Sequence, residues 1–245
     1  MSDWENVPAY VRVLTQLRIE IESGRIPPGG QIPSVAALAQ QHNVAGTTVQ
    51  KAIRALKAAG LVEGVAGKGV FVRKVKRLTS RSADFVSPVP DGARTPHGNS
   101  TTPEIGHVVP PDEVAEKLET EPDEKVVSRR RLMLDADDNA IEITTSYIPL
   151  SIAKGTPLER STKLSGAMPT ALKRLGFPPR DCKEWVTGRM PTSEEARTLK
   201  IPSGVPVLQT LRLTKTDGGR PAEVLLIVFS AERYELEYDL PIQDS

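Results

Sequence analysis

Aromatic residues make up only 4% of the 245-residue chain, so any core has to be assembled from Leu, Val, Ile and Ala. A single cysteine, Cys182, excludes an internal disulfide and fits a reducing compartment. The three histidines, His42, His97 and His107, fall at no metal-ligand spacing, and neither a metal nor another cofactor is expected. No apolar run nears the roughly 18 residues that a membrane span needs. Met1-Ser2-Asp3-Trp4-Glu5 carries charge at once, unlike the basic-then-apolar order of a signal peptide. These shortages disfavour a secreted disulfide scaffold, a membrane protein and a zinc enzyme. A cytoplasmic protein is expected.

Hydrophobic content of 38% and charged content of 26% still describe a folded chain, long enough for one to two domains. The net charge of +1 hides an asymmetry. Through Leu78 there are 11 Lys and Arg against 5 Asp and Glu, whereas the remainder holds 21 against 26. A basic first third on an acidic remainder fits a nucleic-acid module joined to something else. Thr79–Glu104 is rich in Pro, Gly, Ser and Thr without apolar periodicity, and reads as a linker. The division is then 1–78, 79–104 and 105–245.

In the first third, Val11, Leu14, Leu17 and Ile21 stand at helical spacing between Pro8 and Gly24. Ser34 is a fitting N-cap for a short second helix carrying Val35, Leu38 and Ala39 inward. A third helix spans about Gly46 to Ala59, with Val49, Ala52, Ile53 and Leu56 on one face, and Gly60 ends it. Leu61-Val62-Glu63 and Val70-Phe71-Val72 flank a Gly-rich turn with Lys68 near its tip, as in a two-stranded wing. The order is that of a winged helix-turn-helix. On the third helix Gln50, Lys51, Arg54 and Lys57 face away from the apolar stripe. Gln pairs bidentately with adenine in the major groove, and Lys and Arg neutralise phosphate.

Tyr10–Arg73 resembles the DNA-binding domain of GntR-type bacterial repressors along its whole length. Gly24, Pro28-Gly29, Ile32-Pro33-Ser34, Leu38-Ala39, Val44 and Thr47-Thr48-Val49 carry the likeness. So do Ala52, Leu56, Gly60-Leu61-Val62 and Gly67-Lys68-Gly69-Val70-Phe71-Val72. The resemblance implies backbone contacts from Ser34, Thr47 and Thr48. It also implies base reading near Gln50 and minor-groove approach by Gly67, Lys68 and Gly69. Val35-Ala36, Ala45-Gly46 and Gln50 stand where the family often has charged residues, arginine among them, so the operator sequence does not carry over.

In the remainder, Thr192 and Glu195 form a capping box that opens a helix through Leu199. Strand-like Val205–Lys215, the turn Asp217-Gly218-Gly219 and the strand Glu223–Phe229 follow. Helix Pro111–Leu118, strand Val126–Leu134, turn Asp135–Asn139 and strand Ile141–Ile148 have the same order. A gapless shift of 81 residues gives 7 identities over the 39 positions Pro111–Pro149, among them Arg131 with Arg212 and Glu142 with Glu223. Chance gives roughly two or three. The pattern is an internal duplication of a helix–hairpin unit, fitting an α+β fold with an antiparallel sheet.

About Ile105–Leu240 resembles the UTRA ligand-sensing domain of the HutC subfamily. The likeness rests on Arg129-Arg130-Arg131, Ser146-Tyr147-Ile148-Pro149, Gly155-Thr156-Pro157, Met190-Pro191-Thr192, Gly204-Val205-Pro206, Arg220-Pro221-Ala222-Glu223 and Glu232-Arg233-Tyr234. It implies a chorismate-lyase-like fold that binds a small effector. The Arg-x-Arg pair of sugar-phosphate-sensing members falls at Arg131 and Met133, and a family glutamate at Thr144, so a less charged effector fits better. Arg129 and Arg131 share a strand face and offer planar forks of donors to an anion. Arg212, Thr144, Glu223 and Phe229 complete the candidate set. Cys182 and Trp185 read as packing residues.

The leading expectation is a homodimeric repressor that binds double-stranded DNA at an inverted repeat and is released by a small molecule, with no membrane partner. A plasmid-transfer or partition regulator without a ligand, and a lyase-like enzyme, are the alternatives. No acid–base constellation supports the enzyme.

Overall fold

The apolar spacing of the first segment is realised as α1 (Ala9–Glu22), with Val13 and Leu17 buried in a computed structural model. The structure describes residues 7–74, 78–81, 99–164 and 166–238, and the chain divides into two units near residue 77.

In the first unit, Ser34 caps α2 (Val35–His42) by accepting from the Ala37 N–H at 3.2 Å. Asn43 then takes a left-handed conformation and turns the chain into α3 (Gly46–Ala58). Val49, Ala52, Ile53 and Leu56 of α3 are buried against Val13, Leu17, Leu38 and Ile32, a core without an aromatic ring. Gly60 has φ +70°, a conformation that side chains rarely adopt, and it ends α3. Two strands, β1 (Val62–Val65) and β2 (Gly69–Val72), pair antiparallel to form the wing. Gly69 has φ +117°, and a Cβ there would come within 2.8 Å of Gln31 Nε2. That amide donates to the Lys68 carbonyl at 2.8 Å and ties the wing to the chain ahead of α2.

The second unit begins at β3 (Leu78–Arg81). The segment read as a linker, 79–104, is described at 79–81 and from residue 99 onward; the rest lies outside the described residues. The short β4 (Asn99–Ser100) and β5 (Glu104–Val108) both pair with β6 (Val126–Leu134) after the helix α4 (Asp112–Leu118). β7 (Ala140–Pro149) returns antiparallel to β6. Next come α5 (Leu150–Ala153), a 3-10 turn (Pro157–Glu159) and α6 (Met168–Arg174), which pack on Val127 and Ile148. β8 (Pro179–Arg189), α7 (Ser193–Thr198), β9 (Val207–Thr216) and β10 (Pro221–Ser230) follow. The sheet runs β4/β5–β6–β7–β10–β9–β8, antiparallel throughout. Finally β11 (Tyr234–Glu237) lies parallel to β3.

The register shows the duplication as a pseudo-two-fold axis. Thr145 pairs with Leu226, its own counterpart under the 81-residue shift, so the axis passes between them. Arg131–Thr144 maps onto Arg212–Leu225, and Arg129–Ser146 onto Thr210–Ile227. The repeat extends further than the helix and hairpin. Val108–Val126 maps onto Arg189–Val207, so β5 corresponds to the end of β8. Each unit is strand, helix, hairpin.

Strand parity gives the sheet two distinct faces. On one, Val126, Tyr147, Leu211, Leu213 and Val224 are covered by Val114 and Leu118 of α4. Arg130 binds Glu194 of α7 at 2.7 Å on that face, and Gln209 binds Glu113 of α4 at 3.1 Å. The capping box of α7 is present, and Glu195 also receives two bonds from Arg189.

Candidate DNA-reading surface and effector site

The exposed face of α3 is polar and cationic because Val49, Ala52, Ile53 and Leu56 are turned toward the core. Thr47, Gln50, Lys51, Arg54 and Lys57 are exposed and Thr48 is half-buried. Ser34 and the wing residues Gly67, Lys68 and Gly69 are exposed as well. Lys51 departs from a free phosphate ligand: its ammonium lies 3.9 Å from the centroid of the Tyr10 ring. Arg54 has no such partner among the described residues, leaving it freer than Lys51 to reach a backbone phosphate. The first turn of α3 holds no acidic residue, which keeps its N-terminal amides favourable to an anion.

The second sheet face holds a polar band between two apolar clusters. One cluster is Val127, Ile148, Ile152, Leu158 and Leu172; the other is Met133, Ile141, Ile227, Phe229 and Tyr234. Between them run two cross-strand rows, Arg131–Thr144–Ile227–Thr210 and Arg129–Ser146–Leu225–Arg212–Glu184. Glu142 and Glu223, a pair under the pseudo-two-fold axis, bound the band on either side, 1% and 3% exposed.

The three arginines of this face differ in what they hold. Arg129 is buried, and its guanidinium donates to the carbonyls of Leu158, Arg160 and Thr162. Arg212 is buried and donates to Glu184 through Nε at 2.7 Å and again through NH2, and Glu184 also accepts from the Tyr238 hydroxyl at 2.6 Å. Arg131 is exposed, and its Nε donates to Thr144 Oγ1 at 3.3 Å. Although solvent reaches it, the surrounding protein desolvates it enough to lower its pKa, opposed by attraction to Glu223 and Glu142.

Burial pushes the Glu223 carboxyl up, opposed by a hydrogen bond from Ser146 and by Arg131, Arg212 and Arg129. Its ionised form is thus the less comfortable one in the fold. Glu223→Gln should raise the melting temperature at neutral pH. Below the ordinary carboxylate range the acid is protonated folded and unfolded, and the advantage should vanish; it should grow from that range up to the elevated folded pKa and level off above it. Melting curves across pH check this, and an advantage that persists at acid pH would contradict it.

Glu142, Ser146, Thr210, Glu184 and Tyr234 join the site without having been singled out in the sequence. Tyr234 has its pKa raised by burial and then by the neighbouring Glu142 carboxylate. Glu142 was within reach through the shift that pairs it with Glu223, and Ser146 and Tyr234 stand in motifs that carry the UTRA likeness; Thr210 and Glu184 carried no local signal. Phe229 is 2% exposed and packs on Tyr234 with ring centroids 4.6 Å apart, as part of an apolar core cluster. Cys182 corrects the packing reading: it lies exposed on the outermost strand. Trp185 is half-buried beneath the ammonium groups of Lys117 and Lys183. Among the described residues no helix is long and apolar enough to cross a membrane.

Residues 9–72 match the gntR family of bacterial regulatory proteins, and residues 99–235 match the UTRA domain. The chain is 27% identical over 234 residues to the transcriptional repressor NagR of Bacillus subtilis, covering 93% of each protein. To the transcriptional regulator GgaR of Escherichia coli it is 23% identical over 220 residues, 89% of this chain and 86% of that one. A crystal structure titled as a GntR-family transcriptional regulator aligns with a TM-score of 0.68 at 27% identity, across 97% of this chain and 99% of that chain. PhnF of Mycobacterium smegmatis shares the fold with a TM-score of 0.53 at 17% identity, across 94% and 100%. With a winged helix-turn-helix followed by a UTRA domain, the chain belongs to the GntR family of transcriptional regulators, in a HutC-like arrangement.

Proposed function

We propose that this regulator is a homodimeric repressor that binds an inverted-repeat operator and leaves it when a small molecule occupies the arginine-bearing sheet face. The observation that carries the proposal is Arg131, an arginine one strand away from the pseudo-two-fold axis of the sheet, bonded only to Thr144 among the described residues. The relative named as a repressor supports the sign of regulation. One recognition helix covers only a few base pairs, so useful specificity calls for two half-sites.

The reading surface gives α3 two separable roles. Gln50→Ala should cost about 1–3 kcal/mol and relax base preference at one position per half-site. Arg54→Ala should weaken binding on every sequence and reduce the salt slope by about one. Lys51→Ala should do less than Arg54→Ala, because its ammonium is drawn to Tyr10. Selection of DNA from random sequence followed by salt titration measures all three. An unchanged base preference in Gln50→Ala would remove its assigned role.

Coupling between sensor and reader needs an element that the effector can move. β11 fits: Tyr234 packs on Phe229 beside Glu142, and the same strand pairs with β3, the chain segment that leads from the reader. A ligand acts by its difference in affinity for the DNA-competent and DNA-incompetent arrangements.

A further inference from the structure

Among the charged groups of the arginine-bearing face, Arg131 and Glu223 keep polar atoms that meet no hydrogen-bond partner among the described residues. Arg129 is committed to three carbonyls, Arg212 is bound to Glu184, and Glu142 has Tyr234 against it. Arg131 uses only Nε, for Thr144, so its two terminal nitrogens are unspent among the described residues. Glu223 Oε1 is buried and meets no hydrogen-bond partner, in a side chain 3% exposed. A buried carboxylate oxygen without a donor is costly and calls for one.

Arg131 and Glu223 attract one another through space without touching. They stand on strands two apart, and Glu223 lies four residues along β10 from Ile227, which shares the Arg131 row. At ideal strand spacing their Cα atoms are about 17 Å apart, a span that two long side chains narrow to the size of a small molecule. Thr210, in the Arg131 row, has a buried hydroxyl that meets no hydrogen-bond partner.

The balance of the face also bears on the ligand's charge. With all six ionised, Arg129, Arg131 and Arg212 stand against Glu142, Glu184 and Glu223, equal numbers of each sign. A doubly charged phosphate would leave that set with unmatched negative charge in surroundings of low dielectric. A molecule carrying one charge of each sign preserves the balance and satisfies both open groups. We propose that the effector is a small zwitterion, its carboxylate held by Arg131 and its ammonium by Glu223. This assignment rests on the effector site proposed above.

Thermal melting of the full chain with a matched panel tests it. The panel comprises the α-amino acids, β-alanine, γ-aminobutyrate and ε-aminocaproate; butyrate as the acid alone; butylamine as the amine alone; glucose; and a hexose phosphate. At least one zwitterion should raise the melting temperature, and the acid or amine alone should bind at least about tenfold more weakly. Glu223→Gln should lose the preference for the zwitterion over the acid, and Arg131→Ala should lose binding of both. Silence of every zwitterion overturns the proposal. Stabilisation by the hexose phosphate or glucose alone, abolished by Arg131→Ala, also overturns it but keeps the effector site. Stabilisation by any ligand that neither variant alters removes the site itself, and the zwitterion with it.

Discussion

Arg131→Ala should still bind operator DNA but should no longer release it at the effector concentration that empties wild-type complexes. Arg131 is exposed on the sheet and makes one side-chain bond, to Thr144, so its loss leaves the fold nearly undisturbed. Truncating one partner of a desolvated charge pair costs on the order of 2–5 kcal/mol, much of it the penalty on the charge left behind. That range is enough to abolish release at ordinary ligand levels. The reader folds around its own core of Val13, Leu17, Leu38, Val49 and Leu56, so DNA affinity without ligand should match wild type. Anisotropy titrations with and without effector measure both quantities. Release of the variant at the wild-type concentration would return Arg131 to the status of a surface charge.

The neighbouring Arg129→Ala should behave in the opposite way, as a stability variant. Its guanidinium spends three N–H groups on the carbonyls of Leu158, Arg160 and Thr162, tying the segment after α5 to β6. Hydrogen bonds from a charged donor are worth more than neutral ones, and alanine leaves those acceptors without it. The expected cost is about 3–5 kcal/mol, which for a domain of this size lowers the melting temperature by roughly 10 °C. Arg131→Ala should shift it by only a small fraction of that. Scanning calorimetry on the two variants decides the matter. Equal melting temperatures would contradict the division of labour between these arginines.

The fold was legible wherever the determining chemistry is local. Ser34 as a cap, Gly60 as a stop, the capping box at Thr192 and Glu195 and the strand Val126–Leu134 all rest on neighbours within a few residues. The duplication was legible because it preserved pairs such as Arg131 with Arg212. β8 was not: Arg180 to Lys183 are exposed on an edge strand with one neighbour, so no apolar alternation marks them. β3 and β11 were missed because each finds its partner about 156 residues away in a parallel pairing, which leaves no hairpin signature. The arginines show the limit at the site. Arg129 and Arg131 look alike in sequence, and only carbonyls about 29–33 residues further on separate the tether from the open group. Cys182 is the plainest miss, since a lone cysteine reads as buried until its strand is found at the edge.

Operator affinity of the full-length protein, measured at equilibrium with and without a saturating ligand found by thermal melting, bears most directly on the central claim. If the reader and sensor are coupled, the ligand should weaken operator binding by at least about fivefold, the lower end of ordinary allosteric coupling. By linkage, operator DNA should weaken ligand binding by the same factor. A ligand that stabilises the protein yet leaves operator affinity unchanged would contradict the account.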